Sequence, residues 1–466
     1  MPTIEKKDDF RDRIATVDKS GKRKWIFAKK PKGKFYNIRT WVSLFFFGIF
    51  ILMPFLRYQG QPLFLFNIPQ AKFILFGKVF WPQDFFIFGV GMITFIIIVV
   101  LFTAAFGRLF CGWVCPQTNF MEMLFRKLEY WVEGDAPAQQ QLQKQGWSAV
   151  WIRKKTIKHL LFFLISFLIA NIFLAYVIGT DELFKIATEP ISEHFGGFLS
   201  LMIFTAIFYT VYAYFREQAC TVVCPYGRLQ GVLLDRNSMV VAYDYKRGEP
   251  RAKFKKIADP ELGDCIDCFQ CVKVCPTGID IRNGTQMECV GCTACIDACN
   301  EMMAATHRPL NLIRYASENG IAEGKPLRYT GRMKFYTLLL VVLVGLLSVL
   351  LITRKNIDGT IVRAPGMLFQ ERGADSLSNL YTIRLINKTM DDIEVELRIE
   401  GQGRVQRATT GPLVVKKEAQ GTESFFIVLP RTEIRKRKLP VSIALYGDGK
   451  KIGDLQTSFM GPFTKN

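Results

Sequence analysis

Five uncharged, apolar stretches constrain the fold of this chain more than any other feature of its sequence. Each is close to the roughly 20 residues with which a helix crosses a bilayer. One such stretch could be a buried core helix, but five with polar flanks predict membrane spans. They run over about 41–56, 85–106, 160–177, 198–215 and 335–352. The 40 phenylalanines among 466 residues also favour a membrane protein over a soluble one.

The basic residues predict the orientation of these spans. The net charge is +20, and Lys and Arg are concentrated in the N-terminal tail and after the second and fourth spans. The loop from Thr180 to His194 instead has four acidic residues and one lysine. The positive-inside rule then places the N-terminus in the cytoplasm of a bacterium and the C-terminus in the periplasm, with the chain in the inner membrane. Because this anchoring accounts for the charge, no nucleic-acid partner is expected.

The remaining segments complete a predicted domain organisation. Residues 57–84 are apolar but interrupted by Lys72 and Lys78, which favours an interfacial or re-entrant piece. The predicted boundaries are a basic cytoplasmic tail (1–40), a first membrane hairpin (41–106), a cytoplasmic segment (107–159), a second hairpin (160–215), a long cytoplasmic segment (216–332), a fifth transmembrane helix (333–353) and a periplasmic domain (354–466).

The C-terminal domain has a different pattern. Polar and apolar residues alternate in runs such as 381–386, 393–399, 424–429 and 441–446, with Gly, Asn and Asp between them. About seven short strands of period two predict an immunoglobulin-like β-sandwich. The predicted fold class is therefore an α-helical transmembrane bundle of about five spans, with an inserted two-cluster ferredoxin-like domain (about 255–310) and a C-terminal all-β sandwich.

The inserted domain is predicted from eight of the 12 cysteines. Two runs have the spacing C-x2-C-x2-C-x3-C of bacterial ferredoxins, which hold [4Fe–4S] clusters. The fourth cysteine of each run ligates the other cluster in such proteins, so we expect the ligand sets to be interleaved. Zinc also binds C-x2-C pairs, but eight cysteines in this double pattern make zinc a poor alternative. The expected sets are Cys265, Cys268, Cys271 and Cys299 for one cluster and Cys289, Cys292, Cys295 and Cys275 for the other.

The other four cysteines form a repeated motif. Cys111-x3-Cys115-Pro follows the second span, and Cys220-x3-Cys224-Pro follows the fourth. On a continuous helix, residues i and i+4 share a face, so both thiols of a pair would point the same way. Soft thiolates suit Cu(I), zinc or another Fe–S centre, and two pseudo-symmetric pairs could build one shared site. The alternative is that these cysteines are small apolar residues at a helix end.

The three histidines and the known nucleotide motifs offer no further site. His159, His194 and His307 are not paired on facing spans, which argues against a bis-histidine haem, and we expect them at the surface. We find no Gly-rich phosphate-binding motif and no flavin signature.

With these features, the chain resembles the cytochrome c oxidase accessory proteins known as CcoG, FixG or RdxA. The resemblance covers nearly the whole length, and the C-terminal sandwich resembles that family's immunoglobulin-like tail. The motifs that support it are Cys111-Gly-Trp-Val-Cys115-Pro-Gln-Thr, Arg216-Glu-Gln through Cys224-Pro-Tyr, Arg247-Gly-Glu-Pro-Arg251, Cys275-Pro-Thr-Gly-Ile-Asp-Ile281, Gln286-Met-Glu-Cys289, Cys295-Ile-Asp-Ala-Cys299 and Leu312-Ile-Arg-Tyr315. One departure is Asn300, where the family pattern has proline after the cysteine run.

The resemblance implies a function in maturing a cbb-type oxidase, by reducing Cu(II) to Cu(I) before the copper is inserted. The chain would then be an iron–sulfur cupric reductase. Its partners would be oxidase assembly factors, copper chaperones, membrane lipid and an unknown electron donor. Whether it forms a homodimer is left open. Two alternatives also stay open: a subunit that passes electrons from quinol to a nitrate- or nitrous-oxide-type reductase, and a redox-sensing assembly scaffold. The residues that carry over as copper or redox thiols are Cys111, Cys115, Cys220 and Cys224.

Overall fold

The computed structural model describes most of the chain, and its residues form two compact units. One unit comprises Met1–Phe55 and Phe88–Leu347, and the other comprises Leu56–Ile87 and Ser348–Asn466. The basic residues Lys6, Lys7, Arg11 and Arg13 of the predicted tail lie outside the described part. The described residues are 16–17, 20, 22–58, 60–68, 72–76, 78–81, 84–253, 261–324, 329–366, 368–373, 375–389, 391–417, 419–434, 436–447 and 449–462.

Among the described residues, five helices are long and apolar enough to cross a membrane, as the sequence predicts. We number them in chain order as the first to fifth apolar helices. The first and third begin earlier than expected, because their polar N-terminal turns continue the helix before the apolar stretch starts. The helices are Lys34–Leu52, Phe85–Phe106, Ala149–Ile178, Phe195–Thr210 and Gly331–Ile352.

Between these helices the chain forms shorter elements, and several are π-helical. The π-turns are Phe120–Phe125, Val211–Phe215 and Ala219–Val223. π-turns occur mostly as short bulges and frequently at functional sites. The remaining helices of this unit are Met53–Phe55, Leu109–Trp113, Pro116–Asn119, Arg126–Val132, Ala136–Lys144, Thr180–Thr188, Pro225–Leu233, Tyr245–Gly248, Gln270–Lys273, Ile281–Asn283, Ala294–Ala305 and Glu318–Glu323.

The ferredoxin-like segment packs around a small apolar core. Strands Val240–Tyr243 and Ile313–Ala316 pair antiparallel beneath it, and Ile279, Ile296 and Met303 are buried with the cysteines. Asp297, on helix Ala294–Ala305, accepts hydrogen bonds from the first free N–H groups of the first apolar helix. This carboxylate accepts from N–H groups that have no partner within the helix, and its negative charge interacts favourably with the positive end of the helix dipole. The first apolar helix is thereby anchored on the cluster-binding segment.

In the second unit the structure corrects one expectation. Residues 57–84 do not form a re-entrant membrane piece; they form short antiparallel strands whose backbone groups pair with each other. Their centre is apolar, with Ile74 and Val79 fully buried. The strands are Arg57–Tyr58 with Gln61–Pro62, and Phe64–Asn67, Lys72–Leu75 and Lys78–Phe80 in that order.

The C-terminal domain is a two-sheet sandwich, as predicted, with nine strands among the described residues. Alternate residues of the long strand Ser376–Asn387 are buried against the other sheet, so Tyr381, Ile383 and Leu385 lie in the core. A short helix at Arg431–Glu433 joins two strands. In spatial order, one sheet has Arg404–Arg407, Gln420–Pro430, Ser376–Asn387 and Ile357–Arg363, with Gln370–Arg372 on Ser376–Asn387, and the other has Leu413–Val415, Ile393–Ile399, Lys438–Gly447 and Lys450–Met460.

A buried ion cluster fixes the short strands to the sandwich. The carboxylate of Asp84 lies 2.7 Å from the ammonium of Lys388 and 2.7 Å from the guanidinium of Arg354. Asp84 and Lys388 are both nearly inaccessible to solvent. Burial raises the pKa of Asp84, but the hydrogen bonds from Arg354 and Lys388 outweigh it and hold the pKa below its ordinary value of 3.8. Asp84 is therefore ionised at neutral pH.

We expect Lys388→Met to destabilise this unit by about 2 kcal/mol, because it leaves a buried carboxylate with one partner fewer. The matched control is Lys451→Met, whose exposed ammonium pairs with Glu400 and Asp454. Exposed pairs contribute about 0–1 kcal/mol, so this change should be nearly silent. Thermal unfolding of the detergent-solubilised protein measures both. Equal shifts in the two variants would contradict the assignment of Asp84–Lys388 as a structural pair.

Candidate iron–sulfur centres and thiol site

The two ferredoxin runs have the same local backbone. In each run, the residues that flank the second cysteine are left-handed: Asp267 and Phe269 around Cys268, and Gly291 and Thr293 around Cys292. Three of the four are not glycine, and non-glycine residues rarely adopt this conformation without a constraint. The repeated turns wrap each loop so that its first three thiols converge. The sequence shows the repeat of cysteines but gives only Gly291 as a signal for these turns.

The thiols lie in the two predicted groups. Burial, with a smaller effect from the charges of Cys265 and Cys268, raises the pKa of Cys299 to about 12. Burial raises the pKa of Cys292 to about 11, and Cys275 from the other run contributes to this rise. Each run's fourth cysteine therefore faces the other run, which supports the interleaved ligand sets. Thiols with such pKa values are protonated at neutral pH unless a cation binds them.

The sequence spacing of the thiols fits a polynuclear centre. All 12 cysteines are free thiols. Eight of them stand in the double C-x2-C-x2-C-x3-C pattern of two-cluster ferredoxins. The eight cysteines thus fit two [4Fe–4S] clusters.

The Cys-x3-Cys-Pro motifs do not lie on continuous helices, contrary to expectation. Cys115 and Cys224 have extended backbone angles, and each precedes a new helix that begins with proline. The reason is steric, because a residue before proline is driven out of the helical region. Cys111 is on helix Leu109–Trp113 and Cys220 is in the π-turn Ala219–Val223. In each motif a break therefore separates the two cysteines.

The two motifs nevertheless meet, through reciprocal contacts. The sulfur of Cys111 lies 3.2 Å from the side-chain oxygen of Gln230, on the helix that follows the second motif. The sulfur of Cys220 lies 3.9 Å from the hydroxyl of Thr118, on the helix that follows the first. Burial raises the pKa of Cys220 to about 12, and Cys115, Cys111 and Cys224 all act on it electrostatically. The four thiols therefore form one cluster, which we call the thiol tetrad.

Two buried side-chain amides near the thiol tetrad offer hydrogen-bond donors that the sequence does not single out. Gln230 is fully buried, and its side-chain N–H2 has no partner among the described residues. The side-chain N–H2 of Gln117, two residues after Cys115, is also buried without a described partner. Both the oxygen and the N–H2 group of a buried side-chain amide normally have hydrogen-bond partners. Donors left open beside thiols are suited to thiolate sulfur, which accepts hydrogen bonds when it binds a metal ion.

Backbone contacts connect the thiol tetrad to the second ferredoxin run. A Cβ atom at Gly112 would lie 2.3 Å from the carbonyl oxygen of Gly291, so the two loops touch at a pair of glycines. Arg39 donates to the carbonyl oxygens of Gly112 and Cys292, both at 2.9 Å. Arg108 donates to the carbonyl oxygens of Cys289 and Gly227. The two arginines thus clamp the motif loops onto the loop that holds Cys289 and Cys292.

A buried charge network lies beside the thiol tetrad. Arg216 binds the carboxylate of Glu129 at 2.8 Å, and Lys158 and Arg126 add further positive charge around it. Burial raises the pKa of Glu129, but these three cations lower it to a net value of about 2. Arg216 has φ +52°, a strained value for a side-chain-bearing residue. Its backbone lies between two π-turns, and the ion pairs hold it there.

Among the histidines, the expectation of a surface position fails for one. His307 is exposed. His159 is half-buried, and its Nδ1 lies 2.8 Å from the hydroxyl of Tyr209 on the fourth apolar helix. No local pattern predicts this pairing, because Tyr209 lies 50 residues further along the chain.

Together, five apolar helices and two four-thiolate sets define a multi-pass membrane protein of the ferredoxin electron-transfer class. Three family models match the chain. They are a "4Fe-4S binding domain" at residues 88–134, a "4Fe-4S dicluster domain" at 215–318 and an "IG-like fold at C-terminal of FixG" at 347–462. These matches confirm the predicted fold class and the iron–sulfur cofactor.

Known relatives cover nearly the same span. Protein RdxA of Cereibacter sphaeroides is 31% identical over 87% of this chain and 89% of its own length. Protein RdxB of the same organism is 33% identical over 84% of this chain and 85% of its own. Nitrogen fixation protein FixG of Rhizobium meliloti is 35% identical over 66% of this chain and 60% of its own. The chain belongs to the FixG/RdxA family.

We expect Gly112→Ala to disrupt the second cluster loop, because the new methyl group meets the Gly291 and Val290 carbonyl oxygens. Overpacking of this kind costs about 1–3 kcal/mol. The matched control is Gly345→Ala in the fifth apolar helix, where a Cβ meets no atom within 4 Å. Iron content per chain and thermal unfolding measure the effect. Full iron content and unchanged unfolding in Gly112→Ala would show that the glycine contact is dispensable.

Proposed function

We propose that this protein reduces Cu(II) to Cu(I) at the thiol tetrad, with the two [4Fe–4S] clusters as the source of electrons. The observation that supports it most is the glycine contact between the tetrad and the second cluster loop. That contact puts a soft-ligand site next to an electron carrier. Thiolates favour Cu(I) over Cu(II), so the tetrad stabilises the product of the reduction. Copper here is a substrate.

The residues have separate parts in this proposal. The two clusters are held by the two interleaved sets of four cysteines, and a bound [4Fe–4S] cluster supplies one electron at a time. Cys111, Cys115, Cys220 and Cys224 bind the copper ion. Each turnover converts one Cu(II) and one electron into one Cu(I). Because thiol pKa values of about 11 and 12 at Cys111 and Cys220 require copper to displace protons, binding releases protons.

The cellular part of the proposal follows the resemblance to the oxidase accessory proteins. The Cu(I) would go to copper chaperones and assembly factors of a cbb-type cytochrome c oxidase. The proposed setting is the bacterial inner membrane, with the N-terminus and the clusters in the cytoplasm and the sandwich in the periplasm. The basic N-terminal tail and the basic segments after the second and fourth apolar helices support that orientation. The proposed domain boundaries are those that the sequence predicts, except that the short strands between Arg57 and Phe80 are not part of the first membrane hairpin.

We expect Cys111→Ser and Cys220→Ser each to lower the rate of Cu(II) reduction at least tenfold, because an alcohol oxygen is a poor ligand for Cu(I). The assay uses purified full-length protein with intact clusters, reduced by dithionite, with excess dithionite removed, and mixed anaerobically with Cu(II) and a Cu(I)-specific chelator. Thr221→Ala is the neighbouring control, because its hydroxyl bonds only to the Glu217 carbonyl of its own turn.

Iron content separates this proposal from a third cluster at the tetrad. If the tetrad binds copper, Cys111→Ser and Cys220→Ser keep the full iron content of two clusters. If either variant loses iron in proportion to a further cluster, the tetrad is an iron site and the copper proposal fails. An unchanged rate of Cu(I) production in both variants would refute it as well.

We expect Gln230→Leu to weaken Cu(I) binding about tenfold, in line with the 10–100-fold effect of removing a group that hydrogen-bonds to a metal ligand. Leucine matches the volume but has neither the side-chain oxygen that accepts from the Cys111 thiol nor the open side-chain N–H2 of Gln230. Gln141→Leu, at an exposed position on helix Ala136–Lys144, is the control. Competition with a Cu(I) chelator measures the affinity. Equal affinities for Gln230→Leu and the wild type would remove Gln230 from the site.

A further inference from the structure

A large cavity opens where the third apolar helix begins. Its volume is about 790 Å³, within the range of small-molecule sites. The first turns of the third apolar helix form one wall, the end of the fourth forms another, and residues of the N-terminal segment close it. Its aromatic and histidine lining consists of Trp25, Phe27, Trp147, Trp151, His159 and Tyr214. We call this cavity the aromatic pocket.

The lining predicts an amphipathic ligand with a flat ring. Trp147 and Trp151 lie against each other with ring centroids 5.0 Å apart, and the His159 ring stacks on Tyr214 at 6.2 Å with an interplanar angle of 20°. Flat aromatic side chains are suited to stack on a planar ring. The lining also includes the apolar residues Ile152, Leu160 and Ala213. A hydrocarbon tail can pack against these residues.

The residues of the third apolar helix that line the pocket indicate its depth in the membrane. Lys155 and Lys158 line it, and the uncharged apolar stretch begins at Leu160. Lysines followed by an apolar run mark the boundary between headgroups and hydrocarbon. A lipid-soluble molecule can therefore reach the pocket from the membrane.

The pocket has a group that accepts protons. His159 lines it, and the contact between Nδ1 and Tyr209 fixes the orientation of its ring. Imidazole exchanges protons near neutral pH. Behind it, Lys158 pairs with Glu133 at 2.8 Å, and Glu133 is 1% exposed. His159 is therefore the group in the pocket that can take up a proton released by a ligand, and the buried ion pair lies behind it.

The aromatic pocket and the thiol tetrad are both close to the π-turn Val211–Phe215. Ala213 and Tyr214 line the pocket. Tyr212, on the same π-turn, is within electrostatic reach of the Cys115 and Cys220 thiols, and its ring stacks on Phe125 at 4.5 Å. Neighbouring residues of one π-turn therefore connect the pocket to the tetrad.

We propose that the aromatic pocket binds a membrane quinol and that this quinol is the electron donor of the protein. The destination of the electrons rests on the proposed function, but the pocket and its ligand do not. One quinol and two Cu(II) ions give one quinone, two Cu(I) ions and two protons. The two O–H bonds of the quinol break, and the two protons pass by way of His159 to solvent. A planar ring, a hydrocarbon tail and two transferable hydrogens match the aromatic walls, the apolar residues and the proton acceptor.

The test uses the purified full-length protein with intact clusters in nanodiscs, and a short-chain quinol under anaerobic conditions. We expect the quinol to bleach the iron–sulfur absorption without copper and to drive Cu(I) formation with copper. His159→Asn and Trp151→Ala should each lower both quinol-driven rates at least tenfold. Dithionite-driven Cu(II) reduction, which bypasses the pocket, should stay within twofold of the wild type in both variants.

Matched controls lie outside the pocket. His307→Asn changes an exposed histidine whose left-handed backbone asparagine accepts, and Trp131→Ala changes a tryptophan that is 75% exposed. Both should keep wild-type quinol rates. Independently of activity, a quinone analogue should quench tryptophan fluorescence with a dissociation constant that Trp151→Ala raises and Trp131→Ala does not.

The outcomes separate this proposal from the copper proposal. If dithionite drives Cu(I) formation but quinol neither bleaches the clusters nor yields Cu(I), the quinol proposal fails and copper reduction stands. If quinol bleaches the clusters but no reductant yields Cu(I), the copper proposal fails and the quinol proposal stands. Unchanged quinol rates in His159→Asn and Trp151→Ala overturn the assignment of the pocket. Native mass spectrometry gives a second way to overturn it. If the wild type binds a phospholipid that Trp151→Ala does not bind, and the quinone analogue does not displace that phospholipid, the pocket is a phospholipid site.

Discussion

The contact between Gly112 and Gly291 is the constraint on which the functional part of this protein depends. Two backbones approach so closely there that a single methyl group would meet a carbonyl oxygen at 2.3 Å. Arg39 and Arg108 hold the same loops from either side through carbonyl oxygens of Gly112, Cys292, Cys289 and Gly227. Because these bonds go to backbone oxygens next to the cysteines, they set the relative positions of the thiol tetrad and the second cluster without using the thiols themselves.

Buried charge is the second organising interaction. Arg216, Glu129 and Lys158 meet beside the tetrad, each almost fully buried, and the two cations hold the pKa of Glu129 low. Removing one member of such a group typically costs about 3–5 kcal/mol, since it leaves an uncompensated charge. The network connects Glu129 and Arg216, which are 87 residues apart in the chain.

Much of the fold could be predicted, because membrane spans and ferredoxin runs depend on local composition and spacing. The second apolar helix runs over the residues expected, and the sandwich follows the alternation of strands such as Ser376–Asn387. The failures concern segments whose partners are distant. Residues 57–84 look apolar enough to enter the membrane, yet they form small sheets, and Asp84 binds Lys388, more than 300 residues further on. Similarly, proline at positions 116 and 225 breaks the helices that would have placed each cysteine pair on one face.

The sequence by itself determined the class of this protein and predicted its cluster ligands. Hydrophobic length predicts the spans, and the spacing of eight thiols predicts the two clusters, because both are properties of short segments. Only the tertiary structure decided that the four remaining cysteines meet, that Gln230 contacts Cys111 across 119 residues, and that an aromatic pocket includes residues of the same π-turn as Tyr212. These relations come from packing between elements that are distant in the chain, and no local pattern of residues encodes them.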